Sequence, residues 1–207
     1  MFFMVFMGFN TNPVQAQSQD VMLVMGDSLS AAYGMSTEQG WVALLQQKLN
    51  QQTQDKLFNI KVVNASLSGE TTSGGLQRLP NLIKRHQPSY VILELGANDA
   101  LRGQNLSATE HNLANMIEIS RQAGAKVLLL GIRLPTNYGP AYDARLAQTY
   151  LSLAETYQLD LDPFFLEDVA LDPDLMQNDA LHPNPKAQPI ILQRLWPKLT
   201  RLILSQD

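Results

Sequence analysis

Short, continuous apolar runs alternate along the chain with longer amphipathic segments. The runs are Val21–Met25, Ile60–Asn64, Tyr90–Leu95 and Lys126–Ile132, with a weaker one in LDLDPFF at 159–165. Rich in Val, Ile and Leu and without strict alternation, they have the pattern of strands covered on both faces. Between them the periodicity predicts helices at about 38–52, 81–87, 106–123, 141–158 and 186–204. In the third of these, Leu113, Met116, Ile117 and Ala123 fall near one face, and Gly124 stands where a C-terminal glycine belongs. Pro80 lacks an N–H and its ring collides with the carbonyl four residues earlier. A helix is therefore expected to start at Pro80, leaving 71–79 as a loop or separate turn.

Alternating strands and helices predict the α/β class, with helices on both faces of a mostly parallel sheet. Five strands in the flavodoxin-like order 2-1-3-4-5 fit the pattern, and such sheets bind ligands beyond the carboxyl ends of their strands. No internal repeat, low-complexity tract or linker divides the chain, so residues 17–207 are read as one domain.

Residues 1–16 belong to a different category. The apolar MFFMVFMGF is followed by polar NTNPVQAQSQD, and Val14-Gln15-Ala16 fits a small-residue cleavage pattern. A secretory signal cut after Ala16 is expected, although its start carries no Lys or Arg, and with it a periplasmic or secreted protein. The run falls short of the roughly 20 apolar residues that span a bilayer, so no stable membrane anchor is expected.

Composition narrows the chemistry. The 207 residues carry a formal net charge of -4, and no basic cluster is longer than Lys84-Arg85. Nucleic acid is thereby disfavoured as a partner, since its phosphates call for a basic face, and a small-molecule substrate fits better. With no cysteine, thiol nucleophiles, thiolate metal sites and disulfides are excluded together.

Four polar or glycine-containing segments should gather at the carboxyl edge of the sheet: Gly26-Asp27-Ser28, Asn64–Gly69, Gly96–Asp99 and Asp179–Pro183. Ser28 follows the first strand and precedes an expected helical turn. By itself GDS reads as a helix cap, because Asp and Ser are preferred there. A serine becomes a nucleophile only when a base takes its proton, and His is the usual base. His86 and His111 read as solvated helix residues. His182 has Asp179 three residues before it, a spacing that lets the carboxylate hold Nδ1–H and leave Nε2 free for the serine proton. A plain turn whose Asp caps the helix beginning near Pro185 is the competing reading. Candidate oxyanion donors are the Ser28 N–H, the Gly69 N–H and the Asn98 amide. Gly69 and Asn98 read as ordinary turn formers unless they converge with Ser28.

The blocks GDSLS, NASLSGETT, GANDALRG and DALHP, in this order, resemble the four blocks of the SGNH (GDSL) hydrolases. The resemblance extends from about Val21 to Leu204. ANDALRG and IRLPTNYG are most similar to the bacterial periplasmic branch of thioesterases, lysophospholipases and arylesterases. It implies a three-layer α/β/α fold and serine-esterase chemistry without metal or cofactor. Residue by residue, it implies Ser28 as nucleophile, Asp179 and His182 as its partners, and Ser28, Gly69 and Asn98 as oxyanion donors. Leu134 and Pro135 would border the acyl chain. Where the branch often has glycine this chain has Ala97, Ala100 and Ala180, whose methyl groups are expected to narrow the pocket.

Three alternatives remain at this level. One is an acetyl-esterase acting on sugars or peptidoglycan, which the same site could support. Another is a metal hydrolase using Asp160, Asp162, Asp172, Asp174, Asp179 and His182, although no metal-ligand spacing occurs among them. The last is a binding module that has lost its chemistry.

Overall fold

The computed structural model describes residues 19–53 and 58–205; the expected signal at 1–16 lies outside the described residues. Five strands form one sheet: β1 (Asp20–Gly26), β2 (Ile60–Asn64), β3 (Tyr90–Glu94), β4 (Lys126–Leu130) and β5 (Asp160–Asp162). Their order is β2-β1-β3-β4-β5 and every pairing is parallel, as the alternating pattern predicts. The helices are α1 (Trp41–Thr53), α2 (Thr72–His86), α3 (Ala97–Leu101), α4 (Leu106–Gln122), α5 (Pro140–Tyr157) and α6 (Gln188–Leu204). Helix α1 packs against α6, while α4 packs against both α2 and α5, giving the two outer layers.

Burial follows position in the sheet. Central β3 is buried along its whole length, and β1 from Met22 to Gly26. At the edge, only Ile60 of β2 is fully buried, so its continuous apolar run is covered less than expected.

Helix α2 does not start at Pro80 but runs from Thr72 straight through it. Thr71 caps it by accepting the Gly74 N–H at 3.2 Å. Pro80 is exposed, so the ring and the interrupted hydrogen bond lie on the wet side. Thr72, Gly75 and Leu79 remain packed beneath. Packing of the inner stripe outweighs the local cost of the proline, and Pro197 sits in the same exposed setting in α6. In α4 the inner face holds Leu113, Met116 and Ile117 as expected. Ala123 is exposed just beyond the helix, and Thr109 and Ser120 complete the face instead. Gly124 follows at φ +84, the left-handed geometry read from the sequence.

The register of β1 on β3 positions the functional edge. Gly26 lies opposite Glu94, so both strands end together, and Val24 opposite Asn64 brings the loop after β2 to the same level. That loop is drawn in further by Leu67 N–H, which donates to Gly26 O at 3.1 Å.

Candidate active site

The turn carrying Ser28 is built on a buried acid. At Gly26 a Cβ would come within 2.6 Å of Glu94 Oε2 and 2.8 Å of Ser30 Oγ, so this close approach requires glycine. Glu94 Oε2 accepts the Asp27 N–H at 3.2 Å and the Ser30 hydroxyl at 2.7 Å. Asp27 Oδ1 accepts the Leu29 N–H at 3.0 Å, and Ala31 N–H bonds back to Asp27 O at 2.9 Å. The side chain that closes this turn is thus Asp27, not Ser28. The expected helical turn is limited to these bonds and no helix follows; turns continue to residue 34. Ser28 Oγ is left for another partner.

That partner arrives from 154 residues away. Ser28 Oγ and His182 Nε2 are 2.9 Å apart, and His182 Nδ1 lies 2.7 Å from Asp179 Oδ2. Asp179 Oδ1 also accepts the N–H groups of Leu181 and His182, each at 3.0 Å. Partial burial pushes this carboxyl up, but those two N–H groups and the imidazole outweigh it and hold Asp179 down at about 2. An ionised carboxylate only accepts hydrogen bonds, so Nδ1 carries the proton and Nε2 presents its lone pair to the Ser28 hydroxyl. Asp179 does not cap the following helix. Its hydrogen bonds stay within its own turn, and α6 begins only at Gln188.

Asn98 sits in the first turn of α3, an element the sequence did not reveal. Its Nδ2 donates to Asp27 Oδ2 at 2.9 Å. Because the acceptor is a carboxylate, the amide is fixed with nitrogen toward Asp27, and the second Nδ2–H remains for another acceptor. Next to it, buried Asp99 accepts the Thr72 N–H at 2.9 Å and the Thr72 hydroxyl at 2.5 Å, locking α3 to the start of α2. Gly69 lies in the loop after β2 at φ +78 and is exposed. Arg102 Nη2 donates to Gly69 O at 3.0 Å while the Arg102 N–H bonds to Asn98 O at 3.2 Å, so one residue links both candidate donors.

Burial lifts the Asp27 carboxyl from its ordinary 3.8 to about 6, against the pull of the Leu29 N–H, His182 and the Asn98 amide. Burial, and then the charge of Asp27, push Glu94 well above the usual carboxylate range. Sequence reasoning missed Glu94. The available signal was a charged residue closing an otherwise apolar strand, a placement that burial penalises heavily.

A cavity of about 720 Å³ opens beside Ser28 and His182, walled by Leu101, Ile132, Leu134, Pro135, Phe164 and Leu166. Leu134 and Pro135 therefore line the same cavity as Ser28 and His182. Asp143 holds that segment, accepting the Leu134 N–H at 2.8 Å and pairing with Arg133. Of the three alanines, Ala97 and Ala180 line the cavity. Ala100 does not narrow it, because it is fully buried in the core. Ala180 holds φ +55, a left-handed conformation that explains why glycine suits the position.

Several of the acids considered for a metal have other partners. Asp162 is paired with Arg194 and Lys198, Asp160 with Arg201, and Asp172 accepts the Asp174 N–H. Among the described residues, no group of three or more His, Asp or Glu side chains is arranged to hold a metal ion.

The GDSL-like Lipase/Acylhydrolase family matches residues 24–189. The chain is 47% identical to esterase TesA of Pseudomonas aeruginosa, over 91% of this chain and 92% of that protein. It is 44% identical to thioesterase 1/protease 1/lysophospholipase L1 of Escherichia coli K12, over 91% and 88% respectively. A crystal structure of TesA superposes with a TM-score of 0.84 at 48% identity, covering 88% of this chain and 99% of that one.

Asp27 provides a test of the site's construction. Its folded value of about 6 exceeds the ordinary 3.8, so the folded protein binds this proton more tightly and ionisation opposes folding. The penalty is absent below pH 3.8 and grows as pH rises through 6. Asp27→Asn should therefore gain thermal stability relative to the wild type between pH 4 and pH 7. It should also lose about 10²-fold in kcat, because an amide offers one acceptor oxygen where the Leu29 N–H and the Asn98 Nδ2–H each use one. Melting curves across this range and ester hydrolysis at pH 7 check both; a pH-independent difference in melting temperature contradicts the first.

Proposed function

The chain belongs to the GDSL-like lipase/acylhydrolase family, and on that premise we propose that it is a serine hydrolase of carboxylic esters and thioesters that works through an acyl-enzyme. The carrying observation is the continuous chain of contacts from Ser28 Oγ through the His182 imidazole to Asp179, at 2.9 and 2.7 Å.

In this reading Ser28 Oγ attacks the acyl carbonyl while His182 Nε2 takes its proton. Asp179 stays ionised and stabilises the imidazolium through Nδ1–H. The carbonyl oxygen becomes an oxyanion, received by the Ser28 N–H, the Gly69 N–H and the free Asn98 Nδ2–H, each worth about 3 kcal/mol in the transition state. Collapse of the tetrahedral intermediate breaks the bond to the leaving oxygen or sulfur, which receives the proton from Nε2. Water then attacks the acyl-Ser28 ester with His182 again as base, releasing the acid and restoring the serine.

Fatty acyl esters and thioesters are the substrate class. The apolar wall around Leu134 and Pro135 supports this, as do the relatives' names, esterase and thioesterase/lysophospholipase. A cavity of about 720 Å³ far exceeds an acetyl group, so the acetyl-sugar alternative is not favoured. No helix among the described residues is long and apolar enough to cross a membrane. The signal pattern in residues 1–16 supports export.

Ser28→Ala should abolish p-nitrophenyl butyrate turnover and fluorophosphonate labelling while the melting temperature stays near that of the wild type. Turnover in that variant would remove Ser28 from the role. Leu134→Ala should lower kcat/KM for p-nitrophenyl octanoate about tenfold, with acetate hydrolysis nearly unchanged, since a smaller side chain forfeits apolar contact with a long chain only. Intact-mass measurement of protein from the periplasm or medium should give a chain beginning at Gln17.

A further inference from the structure

His182 and Asp179 sit on a turn outside the sheet, whereas Ser28 is anchored on β1. The turn is internally braced: Gln177 N–H donates to His182 O at 2.7 Å, Ala180 N–H donates to Gln177 O at 2.9 Å, and Met176 bridges to Pro183. Such bracing fixes the shape of the turn without fixing its distance from Ser28.

The Gln177 side chain spans that gap. Gln177 Nε2 donates to Tyr33 O at 2.8 Å and to Pro183 O at 3.1 Å. Tyr33 lies five residues after Ser28, and Pro183 directly follows His182. The same amide fills space left by a glycine. Gly34 holds φ +74, and a Cβ there would come within 2.1 Å of Gln177 Oε1 and 2.9 Å of its Cδ. The Tyr33 ring closes the arrangement from outside, its centroid 4.5 Å from that of His182.

We propose that Gln177 is a positioning residue for the reaction: by donating to Tyr33 O and Pro183 O, and by seating its amide against Gly34, it sets the separation between Ser28 Oγ and His182 Nε2. Gln177 touches neither reacting atom and acts through the two main-chain segments that carry them. This rests on Ser28, His182 and Asp179 being the reacting groups. Misplacement of such groups by about 1 Å can cost 10²-fold in rate. Asp179 alone cannot prevent it, because Asp179 moves with the same turn as His182.

The test uses the full chain, with active sites counted by stoichiometric fluorophosphonate labelling. Gln177→Met keeps the length and loses the donor. Gln177→Glu keeps the shape and presents oxygen to two carbonyls. Both should label to full stoichiometry, but more slowly, and kcat per labelled site should fall about 10- to 100-fold with KM within threefold of the wild type. Labelling rate and kcat should fall by the same factor. Gly34→Ala reaches the same amide from the other side, and its loss in kcat should be non-additive with that of Gln177→Met in the double variant.

A merely structural glutamine would lower the melting temperature or the labelled fraction and leave kcat per labelled site unchanged; that result overturns the proposal, as do additive losses in the double variant. Ser28→Ala separates the two levels. If it is inactive while Gln177→Met turns over normally, only the positioning role fails. If it is active, the Ser28 assignment fails and the positioning role with it.

Discussion

A carboxyl group buried at the end of the central strand is the constraint on which the site depends. Glu94 is 2% exposed, and a buried acid is costly unless its oxygens find donors. Here the donors are the Asp27 N–H and the Ser30 hydroxyl, on either side of Ser28. The acid therefore draws the turn after β1 down onto the strand ends, and Gly26 leaves room for it. The constraint passes onward through Asp27, whose two oxygens fix the Leu29 N–H and the Asn98 amide. From one buried group the turn carrying Ser28 and the Asn98 amide acquire a shared frame. That frame contains two carboxyls that burial pushes upward, so it costs stability for the sake of order, as polar groups at functional sites commonly do.

The opposite side of the crevice is held differently. His182 and Asp179 derive their mutual geometry from a short turn in which one carboxylate accepts two N–H groups and the imidazole. This makes the pair a local unit, orientated before it meets the serine. The sheet side is stiff because β1 and β3 are buried and paired on both edges. The turn side is part of the surface, where loops are more mobile than the elements they join. Bringing a serine anchored at a buried strand end to a histidine carried on a turn is the mechanical problem that the fold has to solve.

The division of polarity completes the link to function. Asp27, Ser28, Asn98 and His182 contribute polar groups to the cavity lining together with Arg133, Thr136 and Asp143, and the other lining residues are apolar. In the proposed function, an acyl chain entering the apolar part of the cavity would leave water and bring its carbonyl to Ser28. Family membership rests on the match over residues 24–189 and on 47% identity to an esterase, and the geometry supplies a physical account of why that chemistry suits this chain.

Much of this was legible in the sequence, for physical reasons that can be named. Apolar runs such as YVILE and KVLLL report burial directly, and a parallel sheet buries its strands, so the order of β1 to β5 followed from local pattern and connection rules. The Asp179-x-x-His182 spacing was legible because a three-residue separation lets a carboxylate meet an imidazole on one turn. Other features depended on contacts between distant residues. Helix α2 continues through Pro80 because Thr72, Gly75 and Leu79 pack inward, a gain that the local rule about proline does not include. Whether Ser28 was a cap or a free hydroxyl could not be read from Gly26-Asp27-Ser28, since either residue can cap. Glu94, 67 residues beyond Asp27, settled it by holding the turn so that Asp27 accepts the Leu29 N–H and Ser28 faces His182. The sequence alone determined the strands, their order and the candidate residue types, because these follow from local periodicity and spacing. Only the tertiary structure decided which hydroxyl, amide and imidazole meet, because that depends on strand register and on hydrogen bonds between residues far apart in the chain.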